Sequence, residues 1–317
     1  MKLAVITGFL GELQDRFCKY HEPRGIGAKL DLLSKVKGVS GVELVYPYDF
    51  VNLQELKDGL KRNNFQVAAV NLNLKNDRKF VRGSVTNTDP SVRQEAVKWI
   101  KEALDAAADL DSPRVQVALL NDGHDYNFEV DYQQAWNWAV EGVREGAKHR
   151  PEKFLSIEYK LNEPRVRTTV SDVAKGILLC KETGLANVGI TIDVGHSLYA
   201  LESPAESLSL LYQFGIKPYI HLNDNSRNWD WDLLPGTVNL WDLVEFMYYV
   251  KEFGYDDWMT FDVFPSRIGV VEGFNLAVLQ MEKVQGIVNQ LDVKKLKANI
   301  NQGNPVGNWE SLFGFLK

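Results

Sequence analysis

The sequence predicts a closed parallel (β/α)8 barrel, the TIM-barrel architecture, built as a single domain. Two observations carry this expectation: eight short apolar runs, and an amphipathic helical stretch or an unassigned stretch of comparable length after each. A third removes the main competitor. Gly8, at the end of the first run, is followed by Phe-Leu-Gly-Glu-Leu, not by the G-x-G-x-x-G turn expected of a dinucleotide-binding sheet. At 317 residues length alone would allow two domains, but α/β barrels of roughly 200–250 residues are routinely one. The domain is assigned to 1–317, with a barrel core over about 1–290 and a helical, polar C-terminal extension over 291–317.

The strands are read, in order, at Leu3–Thr7, Val42–Val45, Val67–Leu72, Val115–Leu120, Phe154–Tyr159, Val188–Asp193, Pro218–Leu222 and Trp258–Val263. They are rich in Val, Ile, Leu and Phe, and several are apolar on consecutive residues, as strands covered on both faces should be. Asp89-Pro90-Ser91 opens a helix with a capping carboxylate and a proline at its first position, and Val97, Ile100 and Leu104 continue its apolar face. Tyr132–Lys148, Val170–Thr183 and Leu240–Phe253 read likewise. Gly184 and Gly254 follow helices, where a left-handed cap suits glycine. The polar stretch Asn301–Asn308 reads as a surface arm.

Composition narrows the function. Hydrophobic residues make up 45% and charged residues 25%, an ordinary globular mix that can fold without disulfides or a structural metal. With 42 acidic against 36 basic side chains the net charge is −6, which argues against a nucleic-acid backbone as partner. Cys18 and Cys180 are far apart and form no C-x-x-C, so a reducing compartment is expected. The apolar N-terminal run is too short for a signal peptide, and no run approaches the roughly 18–20 residues of a membrane span. A cytoplasmic protein is expected.

Barrel chemistry sits at the C-terminal ends of the strands. The fifth run ends in Glu158-Tyr159-Lys160, the sixth in Asp193-Val194-Gly195-His196, the seventh carries His221 and the eighth Asp262; Asp230-Trp231-Asp232 follows in the next loop. Taken singly, each carboxylate reads as a helix cap and each histidine as a core residue. Seven together read differently, because crowded carboxylates repel unless a cation neutralises them. Mixed carboxylate and imidazole ligands suit Mn²⁺, Co²⁺ or Mg²⁺, and neither cysteine is near enough to make a thiolate zinc site. Alternation in an extended segment would put Asp230 and Asp232 on one side, facing one cation.

These segments resemble the xylose isomerase-like superfamily, and within it the two-metal aldose–ketose isomerases. Ile157-Glu158-Tyr159-Lys160-Leu161-Asn162-Glu163-Pro164-Arg165 is similar to that family's Glu-x-Lys followed by Asn-Glu-Pro-Arg. Val194-Gly195-His196, His221-Leu222-Asn223, Asp230-x-Asp232, Phe261-Asp262 and the stretch Gly123–Tyr132 resemble further family segments in the same order, from about Asp89 to about Arg267. Asp193 stands where xylose isomerase has Glu, and His221 where it has Asp; both look instead like L-rhamnose isomerase. Ketose 3-epimerases share Glu, Asp and His but close the set with Glu, where this chain has Asp262. Val45-Tyr46-Pro47-Tyr48-Asp49 occupies the region where xylose isomerase carries its ring-opening His-Asp pair.

The resemblance implies two divalent ions: one on Glu158, Asp193, His221 and Asp262, and a second on Asp193, His196, Asp230 and Asp232. It implies a small-molecule sugar substrate, interconversion of an aldose and a ketose by a metal-assisted 1,2-hydride shift, and a homo-oligomer, dimer or tetramer. Catalytic roles fall to Lys160, Glu158, Asp230 and Asp232, with Lys160 donating to O1; an ion pair to Glu163 is its structural alternative. Lys160, His196, Arg227, Trp231 and His124 are the expected substrate contacts, with Phe9 and Tyr46 as further aromatic candidates. The alternatives are a ketose 3-epimerase using Glu158 and Asp262 as acid–base pair, a metal-dependent endonuclease of abasic sites, which would want more histidines and a basic face than this sequence has, and a sugar-binding module without turnover.

Overall fold

Eight parallel strands close on themselves in the order β1 (Lys2–Ile6), β8 (Trp258–Phe261), β7 (Pro218–Leu222), β6 (Val188–Asp193), β5 (Phe154–Glu158), β4 (Arg114–Ala118), β3 (Gln66–Leu72), β2 (Gly41–Tyr46) and back to β1. The computed structural model describes residues 1–316. Each strand lies within two residues of its expected position. β5 to β8 are buried along their whole length, as strands covered on both faces should be.

The surrounding helices are α1 (Ile26–Leu33), α2 (Leu53–Asn63), α3 (Pro90–Asp109), α4 (Tyr132–Ala147), α5 (Val173–Thr183), the short α6 (Val194–Tyr199), α7 (Pro204–Gln213), α8 (Leu240–Glu252) and α9 (Val270–Gln290). In α3 the buried residues Ala96, Val97, Ile100, Ala103, Leu104 and Ala107 recur every three or four positions, the spacing that lays one face on the barrel. Burying each large side chain of such a stripe contributes about 1.5–3 kcal/mol. Asp89 caps α3 through the Ser91 amide at 2.8 Å, with Pro90 at the first position. Gly184 and Gly254 adopt φ of +67° and +66°, as the sequence leads one to expect. α5 begins at Val173 rather than Val170, because the Asp172 side chain accepts from the Lys175 amide and so caps the helix there.

The polar C-terminal stretch is more structured than a surface arm. It forms α10 (Val293–Asn301) and α11 (Pro305–Phe313), with Asn304 capping α11 through Gly307 and Trp309 set edge-on against Trp241 of α8. Its asparagines read as loop because they cap and turn. Among the described residues no helix is long and apolar enough to cross a membrane.

Two features position the barrel mouth. Gly123–His124, from the loop after β4, pairs antiparallel with Val166–Thr168, which pairs in turn with Asn162–Glu163 from the same β5 loop. The centre of the barrel, meanwhile, is polar where branched aliphatic layers are usual. Glu43, Asn71, Gln116, Ser156, Thr191, Tyr219, His221 and Thr260 are all buried or nearly so. They bond across the interior: Tyr219 donates to Glu43 over 2.6 Å, Asn71 donates to Glu43 over 2.7 Å, and the Ser156 and Thr191 hydroxyls lie 2.7 Å apart.

Candidate functional site

Glu158 is the last residue of β5, Asp193 the last of β6, His221 the penultimate residue of β7, and Asp262 follows β8 directly. Four adjacent strand ends therefore aim four ligand-capable side chains at one point. Around His221, Nδ1 lies 3.2 Å from Glu158 Oε1, 3.3 Å from Asp262 Oδ2 and 3.9 Å from Asp193 Oδ2. One donor atom from each of the four lies within 4.8 Å of the others. Only Asp262, 17% exposed, brings this group to solvent.

A second group shares Asp193. Asp193, His196 and Asp230 also converge within 4.8 Å. Asp193 caps α6 by accepting from the His196 amide at 2.8 Å, so the helix start itself swings the imidazole inward. His196 Nδ1 faces the Tyr159 carbonyl at 2.9 Å, which leaves Nε2 directed at Asp230 Oδ2, 3.1 Å away. Gly195 is required here: a Cβ would lie 2.6 Å from Asn223 Oδ1. That asparagine accepts from the Gly195 amide and donates to Asp193 at 2.9 Å and to Asp232 at 3.3 Å.

Asp232 is not part of the tight second group. Its backbone turns left-handed, with φ of +47°, and this breaks the alternation that an extended Asp-Trp-Asp segment would have had. Its carboxyl nonetheless feels Asp230, Asp262 and Asp193, and burial together with these neighbours raises its pKa well above the usual range.

Lys160 meets both of its readings. Its ammonium is buried and pairs with Glu163 and with Asp230, the latter at 2.8 Å. Burial disfavours its charge, but Asp230, Glu163 and Asp232 outweigh burial and hold its pKa well above normal. The reciprocal holds for Asp230, where burial is overcome by Lys160 and His196 and the pKa falls below the ordinary range. Burial likewise opposes ionisation of Glu158, yet His221 and His196 bring it down to about 2. Asp193 goes the other way, to about 7, since burial and the carboxylates of Asp262 and Glu158 exceed the help from His196. For His196 burial is outweighed by Asp193, Asp230 and Glu158, and its pKa rises to about 9.

This donor set fits a divalent cation. Carboxylate oxygens and imidazole nitrogens converge in a buried space, and Asp230 Oδ1 is buried with no hydrogen-bond partner.

The expected substrate contacts are less concentrated. Arg227, at φ +62°, directs its guanidinium to Asn239 at 3.0 Å and Asp242 at 2.6 Å, at the start of α8. The His124 ring packs edge-on against Tyr132. Trp231 is half exposed and donates to Asn228. Tyr46 donates to Glu102, and Phe9 packs against Phe264. Among the described residues no hydrogen bond or ion pair joins His124, Trp231 or Arg227 to the two ligand groups. Trp229 was not foreseen; it bridges Tyr199 and Trp231, with Lys160 Nζ 6.0 Å from its ring centre. Gln116, which donates to Glu158, and Glu43, 3.1 Å from His221 Nε2, were also missed. The sequence did carry a signal for Glu43: it is the one charged residue inside the apolar run Val42-Glu43-Leu44-Val45.

Comparison with known proteins places the fold in a family. Residues 30–282 match the model of the family described as xylose isomerase-like TIM barrel. The chain belongs to that family. The chain is 29% identical over 173 residues to the xylose isomerase of Dinoroseobacter shibae, covering 52% of this chain and 40% of that protein. It is 29% identical over 178 residues to the xylose isomerase of Rhizobium etli, with the same coverage. The matched region thus spans well under half the length of these relatives. In fold, a D-tagatose 3-epimerase-like protein superimposes with a TM-score of 0.71 at 19% identity, over 92% of this chain and 99% of that one. A D-psicose 3-epimerase crystallised in the presence of D-fructose gives 0.69 at 16% identity, over 90% and 100%.

Proposed function

We propose that this protein interconverts an aldose and a ketose in a reaction that depends on divalent cations. The observation that supports this reading is the pair of ligand groups sharing Asp193, with the Lys160 ammonium at their edge. Glu158, Asp193, His221 and Asp262 would hold one ion and Asp193, His196 and Asp230, with Asp232 beside them, a second; such ions supply Lewis acidity toward vicinal sugar oxygens. Lys160, kept charged by Asp230 and Glu163, donates a hydrogen bond to the sugar oxygen that gains negative charge as the reaction proceeds. The Trp229 ring lies beside the ammonium, its centre 6.0 Å from Nζ. Asn223, which directly follows β7, holds Asp193 and Asp232 in place.

The test is a screen of aldoses and ketoses on EDTA-treated protein, with Mn²⁺, Co²⁺ and Mg²⁺ added back separately. Turnover that requires an added ion supports the reading. Full activity in protein verified free of metal overturns it.

One observation favours a second reading, a ketose 3-epimerase. Glu158 and Asp262 face the same His221 nitrogen at 3.2 and 3.3 Å, so two carboxyl groups stand close enough to serve as an acid–base pair on one carbon. Conversion of a ketose to its C3 epimer with no aldose formed would select this reading.

A further inference from the structure

Glu43 is a buried charge that the proposed reaction leaves unused. Glu43, midway along β2, is fully buried at the centre of the barrel, where a carboxylate is costly unless every lone pair it directs inward finds a donor. Three donors converge on it. Asn71 donates to Oε1 over 2.7 Å, the Tyr219 hydroxyl donates to Oε2 over 2.6 Å, and His221 Nε2 lies 3.1 Å from the same oxygen. β2 is not a neighbour of β7 in the barrel, so Glu43 reaches Tyr219 and His221 straight across the interior. The strand is shaped for this: the register between β2 and β3 shifts between Val42 and Glu43, leaving Ala68 unmatched on β3. Bulges of this kind re-aim a side chain beside functional sites.

The two nitrogens of His221 therefore have different surroundings. Nδ1 faces the carboxylates of Glu158, Asp262 and Asp193, the side where a cation would sit; Nε2 faces Glu43 alone. An imidazole can ligate a cation only through a nitrogen without a proton. If Nδ1 is to be the ligand, the ring's single proton belongs on Nε2, and an acceptor there fixes both the tautomer and the ring plane.

We propose that Glu43 is a positioning residue of the cation site, accepting the Nε2 proton of His221 so that Nδ1 presents its lone pair to the group formed by Glu158, Asp193 and Asp262. The inference rests on the cation-dependent reading of that group, and it does not depend on which sugar reaction follows. Tyr219 and Asn71 hold Glu43 in turn. Tyr219 is itself fixed by the Thr260 hydroxyl at 2.5 Å and by the Arg114 guanidinium 4.4 Å from its ring centre. A glutamine is a poorer partner for the His221 Nε2 proton, because its neutral amide has one accepting oxygen where the carboxylate has two and a negative charge.

Two measurements test this. The first is Mn²⁺ titration followed by electron paramagnetic resonance on wild type and Glu43→Gln, with thermal unfolding as the folding control. Glu43→Gln should bind the ion about 10–100-fold more weakly while remaining folded; affinity equal to wild type overturns the proposal. The second needs no variant. The chain has five histidines, so nitrogen-15 long-range correlation spectra of histidine-labelled, Zn²⁺-loaded wild type can assign each tautomer. A proton on Nε2 of His221 is expected, and one on Nδ1 overturns the proposal even if Glu43→Gln does not fold. Mn²⁺ binding with the expected tautomer but no turnover of any sugar would sustain the role of Glu43 and remove the isomerase reading. A wild type that binds neither Mn²⁺ nor Zn²⁺ would remove both.

Discussion

The Lys160 ammonium lies 2.8 Å from Asp230 Oδ2, and both groups are almost wholly buried. Each keeps the other charged against the cost of desolvation. The same carboxylate is 3.1 Å from His196 Nε2, so one oxygen links the expected proton-bonding group to the second ligand group.

Removing the ammonium should separate these roles. Lys160→Met keeps most of the apolar stem, so the bound-metal content should stay near wild type. Turnover should fall about 100- to 1,000-fold, the usual loss when one donor to a developing negative charge is removed, with kcat affected more than KM. Metal content and kinetics measured on one preparation decide the matter. Near-normal kcat, or a loss explained wholly by missing metal, would make Lys160 structural.

The two ligand groups should be separable by stoichiometry. Asp230→Asn combined with Asp232→Asn is expected to leave one tightly held ion on Glu158, Asp193, His221 and Asp262. Turnover should drop by orders of magnitude with the fold intact. Because Asp232 stands outside the tight group, Asp232→Asn alone should weaken the second ion less than Asp230→Asn alone. Elemental analysis of dialysed protein reads both outcomes, and normal isomerisation by the double variant would exclude the second group from catalysis.

Cation binding should tighten with pH. His196, raised to about 9, and Asp193, raised to about 7, hold protons that a bound cation must displace. Affinity should therefore climb from pH 6 to about pH 9 and level off above it. Calorimetry in buffers of different ionisation enthalpy should detect the released protons; a flat affinity over that range would contradict this. Linkage gives the matching stability result for EDTA-treated protein. Both groups bind protons more tightly folded than unfolded, so their contribution is full at low pH and is lost as pH rises, for Asp193 through about 7 and for His196 through about 9. Glu158, held down to about 2, works in the opposite sense: its contribution is full at neutral pH and is lost only as pH falls through about 2, outside this window. The Tm of the metal-free protein should fall between pH 6 and 9, and Mn²⁺ should offset that fall.

Gly195→Ala tests the scaffold behind the second group. The new methyl would meet Asn223 Oδ1 at 2.6 Å, forcing away the side chain that steadies Asp193 and Asp232. Overpacking of this kind costs about 1–3 kcal/mol, and binding of the second ion should weaken. Wild-type Tm and affinity in this variant would show that Asn223 can move freely.

The barrel was legible because its strands are covered on both faces. Short runs rich in apolar residues, such as Val188–Asp193 or Pro218–Leu222, need no long-range information to be recognised. The clustering of the candidate ligand residues was legible for a related reason: a parallel barrel delivers every strand end to one mouth, so Glu158, Asp193 and His221 could be grouped from position alone. What was not legible depends on turns and on distant partners. Asp232 leaves its expected alignment through a left-handed backbone, and Arg227 is drawn to Asp242, fifteen residues further on, by another. Glu43 lies 178 residues from His221, and no local pattern ties a lone carboxylate in one strand to an imidazole in another.

The polar centre of this barrel has a consequence for how its sequence can change. A methylene lost from an aliphatic layer leaves a void that neighbours partly fill, whereas a partner lost from Glu43, Asn71, Tyr219 or Thr260 leaves a stranded donor or acceptor that nothing nearby can satisfy. Substitutions there should be inherited in sets. A relative with an apolar residue in place of Glu43 should also lack the imidazole of His221 and the hydroxyl of Tyr219, and grafting any one of these back singly should lower its stability, not raise it.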